Sequence, residues 1–426
     1  MNNLKDLRVC LLFFVGFLLT SKTALSQDIH ANIQNDAVSR YLNEVTYTAQ
    51  EDSSCIDNYL VNNGVCLDVP QPVFIEISDL FKKFIRIGNS YICYSSDDSF
   101  KPQLTDTVNI LKKETGVFIY DLQPGVEYFY RLYIQNAIIA KGKLTTEGPV
   151  RMIYLPSVRN VRDLGGWKTS DGRTIRYGKL IRGSELNGMH TADAADIQHL
   201  LNLGVSAELD LRANWEDTYG VRGVSVFGFK SAADVEAGEV PSYLYTNDSG
   251  QILDNLKQYL WLQRWRNEFN FIVQNLRVGR TIYFHCRWGA DRTGYLSLLL
   301  EGLLGVPYDG LVKDYELSSF ALLDKKKEII DPVIEFIRTI DGKTLQEKFN
   351  TFWTKRVGVK QEDINYFIDE MLEGEKKQEQ IESSIITLRE LPIGMNYNLQ
   401  GRRISSHQRG LVIQRQQDGS VRKMVK

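Results

Sequence analysis

Residues 284–294, FHCRWGADRTG, are the stretch that decides the fold. They follow residues 281–284 (TIYF), a β-branched and aromatic run that is typical of a buried strand. Residues 295–300 (YLSLLL) then begin an apolar helix. A cysteine therefore lies where a strand ends and a helix begins, with five residues between Cys286 and Arg292.

Cys286 and Arg292 have residue types and a spacing that suit phosphoryl transfer. A helix N-terminus offers unpaired backbone N–H groups, and a loop wrapped around it makes an anion cradle. The same field stabilises a thiolate, which is the nucleophilic form of cysteine. An arginine holds a phosphoryl group through two parallel hydrogen bonds. We expect Cys286 to attack phosphorus and Arg292 to bind the equatorial oxygens.

The other residues of the stretch have expected supporting roles. Gly289 lets the backbone turn its amides inward. Thr293 is expected to donate its hydroxyl to Cys286, and His285 to order the loop from behind. The rest of the predicted substrate-binding set consists of Arg287, Trp288 and Ala290.

The stretch resembles the phosphate-binding loop of the protein tyrosine phosphatase superfamily, which has His-Cys, five residues, Arg and Ser/Thr. Residues 159–167 (RNVRDLGGW), 182–184 (RGS) and 210–212 (DLR) are similar to a bacterial branch of secreted tyrosine- and lipid-phosphatase-like enzymes. The resemblance covers about residues 151–373. It implies an α/β domain with a central sheet flanked by helices, and hydrolysis through a phosphocysteine. The alternative interpretation is a buried structural cysteine beside an unrelated arginine.

A two-step phosphatase also needs a general acid for the leaving oxygen. The resemblance implies Asp291 or Asp210, for which a structural ion pair is the alternative role. Asp254 has the spacing found in other relatives, but it lies at a predicted helix start, where capping is an alternative. Asp163 is expected to form a turn.

The substrate class is suggested by one position of the loop. Relatives that act on phosphoinositides often carry a lysine before the loop aspartate, where this chain has Ala290. One cation fewer favours phosphotyrosine, although Arg287 partly restores the charge and Trp288 is placed to stack on a ring. The alternatives are a phosphoinositide or inositol phosphate phosphatase and a non-catalytic phosphate-binding surface protein.

Composition excludes some classes of function. The chain has 426 residues and a net charge of −2, so it lacks the basic field that nucleic acid binding requires. We expect no cofactor and no metal, because the histidines show no ligand spacing. These histidines are His30, His190, His199, His285 and His407.

The N-terminus predicts export. Lys5 and Arg8 precede an apolar run at 9–19, and residues 24–26 (ALS) form a small-x-small cleavage site, so residues 1–26 are a predicted signal peptide. We expect a periplasmic, surface or secreted protein of a Gram-negative bacterium, without a transmembrane helix in the mature chain. In an oxidising compartment, a disulfide between Cys55 and Cys66 is one possibility.

The rest of the chain divides into five predicted parts. Residues 27–69 have no assigned role, and 70–149 have the strand spacing of an all-β sandwich. Residues 122–132 (LQPGVEYFYRL) and 142–146 (GKLTT) resemble fibronectin type III-like modules, which implies either a rigid spacer or a module that binds a glycan or protein. The phosphatase-like domain occupies 150–373 and a charged linker 374–390. Residues 391–426 predict three short strands as a β appendage, and they resemble a type IX secretion sorting domain.

Overall fold

A computed structural model describes most of the chain. The described residues are 28–33, 35–48, 52–60, 70–77, 90–111, 114–134, 136–213, 221–247, 259–376, 396–397, 411–415 and 421–425. The predicted signal peptide lies outside them. Among the described residues, no helix has the length and apolar character needed to cross a membrane.

A β-rich region forms the first part of the described chain. Its strands are β1 (Asp28–Asn32), β2 (Val73–Glu76), β3 (Ser90–Ser95), β4 (Thr105–Asn109), β5 (Gly116–Ile119), β6 (Glu127–Ile134) and β7 (Ala137–Glu147). One sheet has the order β1-β7-β6-β3-β4, and β2 pairs with β5 in a second sheet. Inward side chains of both sheets, such as Ile75, Ile92 and Leu144, share one core. Strands β2 to β7 lie within the range 70–149 for which strands are predicted, whereas the sandwich and its fibronectin-like character stay predictions.

The phosphatase-like region is built on a second five-stranded sheet. The strands of this region are β8 (Arg162–Asp163), β9 (Thr174–Ile175), β10 (Leu180–Gly183), β11 (Val205–Asp210), β12 (Tyr243–Tyr245), β13 (Thr281–His285) and β14 (Leu372–Glu373). The sheet order is β12-β11-β13-β10-β8, and β9 pairs separately with β14. All pairs among β10 to β13 are parallel, and only β8 is antiparallel. The register aligns Gly183, Asp210 and His285, so these carboxyl ends meet at one edge, where open α/β sheets bind ligands.

Helices cover this sheet and supply most of the core. They are α1 (Asp36–Glu44), α2 (Ala194–Asn202), α3 (Tyr259–Arg277), α4 (Arg292–Leu304), α5 (Tyr308–Glu316), α6 (Lys327–Arg338), α7 (Leu345–Thr351) and α8 (Gln361–Met371), with 3-10 helices Ile56–Tyr59, Pro102–Leu104 and Leu317–Ala321 and the π-helix Phe352–Val357. Helix α4 is apolar all round and central, as its Leu-rich sequence requires. Trp265 on α3 is buried in the core. Trp261 is only half-buried and lies under the Arg264 guanidinium.

The N-terminal segment, residues 35–48 and 52–60, is part of the phosphatase core. Val38 and Tyr41 on α1 and Ile56 are fully buried in the same cluster as α4. The buried Glu316 accepts hydrogen bonds from the hydroxyls of Tyr41 and Tyr47, the latter at 2.7 Å. The sequence assigned no role to residues 27–69, and the structure places these parts of them against α5.

Contacts also join the β-rich region to the phosphatase-like region. Arg151 donates to the Asp121 carbonyl at 2.8 Å, and the Tyr177 hydroxyl donates to the Pro149 carbonyl at 2.7 Å. His199 Nε2 on α2 lies 2.6 Å from Asp121 Oδ2.

The C-terminal unit, residues 375–426, holds a separate antiparallel sheet. Its strands are β15 (Asn396–Tyr397), β16 (Leu411–Arg415) and β17 (Val421–Val425), in the order β15-β16-β17. The prediction of three short strands is confirmed. The sorting role stays a prediction.

Candidate active site

The Cys286 loop, residues 286–291, connects β13 to α4 at the carboxyl edge of the sheet. Strand β13 ends at His285 and α4 begins at Arg292, so the predicted strand–loop–helix unit is confirmed. Cys286 is only 2% exposed and lies at the base of the loop. The Arg292 guanidinium donates to the Leu211 carbonyl at 3.2 Å, and the Leu211 amide donates to the His285 carbonyl at 2.8 Å. Arg292 is thereby anchored to the end of β11 next to the loop.

Polar groups bind the carbonyls of the loop from behind. Asn160 Nδ2 donates to the carbonyls of Trp288 (3.2 Å) and Gly289 (3.0 Å). Ser184 Oγ donates to the Trp288 carbonyl at 3.0 Å, and Arg182 Nη2 donates to the Gly289 carbonyl at 3.0 Å. Because these carbonyls are turned toward the protein, the loop amides are free to face an anion in front of it.

A buried charge network fixes Arg182. Asp314 on α5 pairs with Arg182 and with Arg162, whose Nε lies 3.0 Å from Asp314 Oδ1. Burial and the neighbouring Arg162 lower the pKa of Arg182 to about 10, while Asp314 opposes that shift. Burial acts to raise the pKa of Asp314, but the two arginines hold it below its ordinary value. Asp314 therefore stays ionised between the two arginines.

Gly289 occupies a position that excludes any side chain. Its φ is +66°, and a Cβ there would lie 2.4 Å from the backbone carbonyl of Gly183 and 2.8 Å from the Ser184 amide. The positive φ and the lack of space for a Cβ both require glycine at this position. Close approach of the loop to the end of β10 is the physical reason.

His285 lies behind the loop. Its Nε2 lies 3.0 Å from Glu208 Oε1, and both side chains are essentially unexposed. This contact orients the imidazole and holds β13 against β11. The expected ordering role of His285 agrees with this position.

The comparison with known families decides the identity of this region. The model of the tyrosine phosphatase family matches residues 153–376, more than half of the chain. The chain belongs to the tyrosine phosphatase family. The matched range contains the Cys286 loop and the groups that bind it from behind.

Two relatives show how far the similarity extends. A provisionally named tyrosine-protein phosphatase of Cupriavidus necator is 29% identical over 170 residues, a match that covers 37% of this chain and 60% of that protein. A triple specificity protein phosphatase, PtpB of Mycobacterium tuberculosis, is 27% identical over 195 residues, covering 39% of this chain and 68% of that protein. The chain thus spans less than two thirds of the first relative's length.

The three candidate acids of this tyrosine phosphatase family member have different environments. Asp210 is fully buried; Arg212 Nη2 lies 2.7 Å from its Oδ2, and the Tyr243 hydroxyl donates to it at 3.2 Å. Burial acts to raise the pKa of Asp210, but His285 and Arg212 hold it below its ordinary value. Asp210 therefore suits a structural ion pair, and its role as an acid gains no support. Asp254 lies outside the described residues.

Asp291 is the candidate acid that reaches the surface of the loop. Its side chain is 41% exposed, and its Oδ1 lies 2.7 Å from Lys325 Nζ. It occupies the N-cap position of α4 but accepts no capping hydrogen bond. The carboxylate is therefore accessible in a way that Asp210 is not.

One expected contact of the family loop is absent. Thr293 Oγ1 is buried and has no hydrogen-bond partner among the described residues, so the expected bond from Thr293 to Cys286 is wrong for this structure. Thr293 lies in the first turn of α4, and Ser297 Oγ donates to its carbonyl at 2.9 Å.

Two residues of the predicted substrate-binding set, Arg287 and Trp288, lie next to each other and to His190. The Arg287 guanidinium lies 5.7 Å from the ring centroid of Trp288, and the His190 ring meets Trp288 edge-on at 4.9 Å. Burial and the positive charges of Arg159 and Arg287 lower the pKa of His190. Ala290 is buried and contributes no polar group.

Sequence reasoning missed the groups behind the loop. Asn160, Arg162 and Arg182 belong to quoted motifs, but their spacing gave no hint that they bind loop carbonyls or share Asp314. The motif around Asp163 was interpreted correctly, because its carboxylate accepts from the amides of Gly165 (2.9 Å) and Gly178 (2.7 Å) as a turn-former should. The one sequence signal that could have identified these groups is that polar residues lie beside glycines at the ends of β8 and β10.

The predictions of a disulfide and of no metal site can be compared with the described residues only. Cys55 carries a free thiol, with Sγ 3.4 Å from the Tyr47 hydroxyl, and Cys66 lies outside the described residues. The possible disulfide between Cys55 and Cys66 is therefore not formed in this structure. Over the described ranges, no group of three or more His, Cys, Asp or Glu residues could hold a metal ion.

Proposed function

We propose that the protein is an exported, cysteine-dependent phosphomonoesterase that hydrolyses phosphotyrosine through a phosphocysteine at Cys286. One observation carries the proposal: a buried cysteine lies at the N-terminus of α4, inside a loop whose carbonyls at Trp288 and Gly289 are bound from behind. That arrangement leaves backbone amides, the helix dipole and Arg292 to bind a phosphoryl group.

The first step is an in-line transfer of the phosphoryl group. The Cys286 thiolate attacks phosphorus, an S–P bond forms and the bond from phosphorus to the phenolic oxygen breaks. The departing oxygen takes a proton from the Asp291 carboxyl. Arg292 and the loop amides bind the three equatorial oxygens, where negative charge is concentrated.

The second step regenerates the enzyme. Water attacks phosphorus, Asp291 takes a proton from that water, and the S–P bond breaks to release phosphate and the thiolate. Both aspartates are paired with a cation, but Asp291 is preferred to Asp210 because its side chain is exposed beside the loop, whereas that of Asp210 is buried.

Phosphotyrosine is proposed as the substrate because the loop has Ala290 rather than a lysine, and because Trp288 and His190 offer aromatic surface beside it. The alternative is a phosphoinositide or inositol phosphate, which the cationic neighbours Arg159 and Arg287 favour. PtpB of M. tuberculosis carries the description triple specificity protein phosphatase, so a broader substrate range is a natural extension.

We further propose export through the signal peptide at 1–26, to the periplasm or surface of a Gram-negative bacterium. The β-rich region is proposed as a fibronectin type III-like sandwich that acts as a spacer or binds a glycan or protein. Its support is the shared core of its two sheets.

The test is hydrolysis of a phosphotyrosine peptide by the mature protein under reducing conditions, with Cys286→Ser as the decisive variant. We expect the substitution to reduce kcat/KM by about 10⁴-fold or more, as removal of a nucleophile does elsewhere. Cys93→Ser is the matched control, because Cys93 lies on β3 in the β-rich region and should leave activity unchanged.

The same assay separates the alternatives. Greater Cys286-dependent turnover of inositol phosphates than of the peptide would assign the second substrate class. Tight phosphate binding without hydrolysis of either substrate or of a small aryl phosphate would replace the enzyme by a phosphate-binding surface protein.

A further inference from the structure

Lys325 makes a direct contact with the loop from a turn that lies outside every motif of the sequence analysis. Its Nζ lies 2.7 Å from Asp291 Oδ1, and the Tyr315 hydroxyl lies 3.5 Å from the same oxygen. Within the part of the chain that the structure describes, Asp291 Oδ2 has no hydrogen-bond partner. One carboxylate oxygen is therefore held, while the other has no hydrogen-bond partner within the described part of the chain.

The turn that carries Lys325 is built to fix its position. Ser319 Oγ accepts from the Lys325 amide at 2.6 Å and donates to the Lys325 carbonyl at 2.6 Å. Leu322 and Asp324 have φ values of 62° and 47°, which non-glycine residues adopt only where their surroundings hold them. The Lys325 side chain is only 17% exposed, so most of it is packed against the protein.

The next two residues hold the turn on its other side. The Lys327 amide donates to Glu316 Oε1 at 2.8 Å, and Lys326 Nζ lies 2.8 Å from Asp57 Oδ2. Lys325 and Lys326 are therefore adjacent lysines in one turn, with only Lys325 directed at the loop.

We propose that Lys325 is a positioning residue that holds Asp291 Oδ1 and so directs Oδ2 toward the leaving oxygen. The inference rests on the proposed function, in which Asp291 protonates that oxygen. It assigns to a separate turn the cation that the loop lacks at Ala290. A carboxylate free to rotate would spend less time in the geometry that proton transfer requires.

The test uses the dependence of general-acid catalysis on the leaving group. A tyrosine leaving group has a pKa of about 10 and needs the proton, whereas a nitrophenol leaves readily as its anion. In the mature full-length protein, we expect Lys325→Met to lower kcat/KM about 10- to 100-fold on a phosphotyrosine peptide, within the usual range for general-acid catalysis. On nitrophenyl phosphate we expect less than about a threefold fall.

Three further variants make the test specific. Lys326→Met is the matched control, since it removes a lysine from the same turn, and it should change neither substrate by more than about twofold. Lys325→Arg keeps charge and reach and should retain the preference for the peptide over nitrophenyl phosphate. In an Asp291→Asn background, Lys325→Met should have no further effect, because the group that it positions is gone.

Other outcomes contradict the inference in distinguishable ways. Equal falls on both substrates, an undiminished effect in the Asp291→Asn background, or the same loss in Lys326→Met would indicate a structural role alone. Wild-type, Cys286-dependent hydrolysis that Lys325→Met leaves unchanged would overturn only the inference. If the wild type hydrolyses neither substrate, the proposed function fails and the inference falls with it.

Discussion

The Cys286 loop and the N-terminal segment (residues 35–48 and 52–60) contribute to the same domain in opposite ways. The loop and the first residue of α4 form one short, contiguous stretch in which the candidate catalytic residues Cys286, Asp291 and Arg292 follow one another closely in sequence. The N-terminal segment meets its partners across the whole domain: Tyr41 contacts Glu316, 275 residues away, and Ser54 contacts Glu328, 274 residues away. The loop carries the groups proposed to bind and attack phosphate, whereas the N-terminal segment donates hydrogen bonds to a buried carboxylate.

The contacts of the N-terminal segment show that it stabilises the domain through the buried Glu316. Ser54 Oγ donates to Glu316 at 2.7 Å beside the two tyrosine hydroxyls, so the segment neutralises the cost of burying a carboxylate. Glu316 in turn accepts from the Lys327 amide, at the end of the turn that carries Lys325. Stability supplied by the N-terminal segment therefore extends to the edge of the candidate site.

The largest expected effect comes from a change at the loop itself. In Gly289→Ala, the new methyl group meets the Gly183 carbonyl at 2.4 Å, and the positive φ adds about 1–2 kcal/mol of strain. We expect at least about a hundredfold loss of phosphatase activity, because small displacements of reacting groups cost that much. Steady-state kinetics and thermal unfolding measure both effects.

Gly279→Ala is its matched control. Gly279 has a φ of +75° with nothing within 4 Å of an added Cβ, so it carries the backbone strain without the clash. Comparable loss of activity in both variants would show that strain alone, not close approach of the loop to β10, explains the need for glycine.

A smaller effect, on stability, is expected from the partner of the N-terminal segment. Glu316→Gln keeps the shape but places an amide NH₂ against donor groups, leaving buried hydroxyls unpaired. We expect the free energy of unfolding to fall by about 3 kcal/mol, with activity per folded molecule retained at low temperature. Denaturant unfolding followed by circular dichroism measures this loss.

Glu328→Gln tests whether the loss of stability expected in Glu316→Gln arises because Glu316 is buried. Glu328 also accepts from the N-terminal segment, through the Ser54 amide at 2.9 Å, but it is exposed. It should cost less than about 1 kcal/mol. An equal loss in the two variants would contradict the assigned importance of Glu316.

The smallest effect is expected at Asp210, which belongs to a motif yet is given a structural role. Because its folded pKa is lowered, its contribution to stability is present above its unfolded pKa of about 3.9 and is lost as the pH falls through the folded value. Asp210→Asn should therefore cost about 2 kcal/mol at pH 7, within the range for breaking buried polar pairs. Its difference from the wild type should shrink toward pH 3.

The Asp210 prediction has a control and a kinetic counterpart. Asp234→Asn changes an exposed aspartate whose pKa is also lowered, by hydrogen bonds from Ser231, and should leave unfolding nearly unchanged at either pH. A loss of peptide hydrolysis in Asp210→Asn that spares nitrophenyl phosphate would instead restore Asp210 as the acid.

The sequence predicts what is local in this molecule. The β13–loop–α4 unit and the turn at Asp163 follow from spacing and turn chemistry. The ion pairs of Asp314 with Arg162 and Arg182 do not, since polar partners far apart in sequence have no periodic signature. Lys325 and the N-terminal segment were missed for the same reason.

The distance along the chain between Tyr41 and Glu316 also bears on the order of events in folding. Helix α1 is synthesised early, but the acceptor that completes its buried face arrives 275 residues later. Closing so long a loop is entropically costly, and contacts of this kind form slowly. The phosphatase core therefore cannot close before most of the chain has been made.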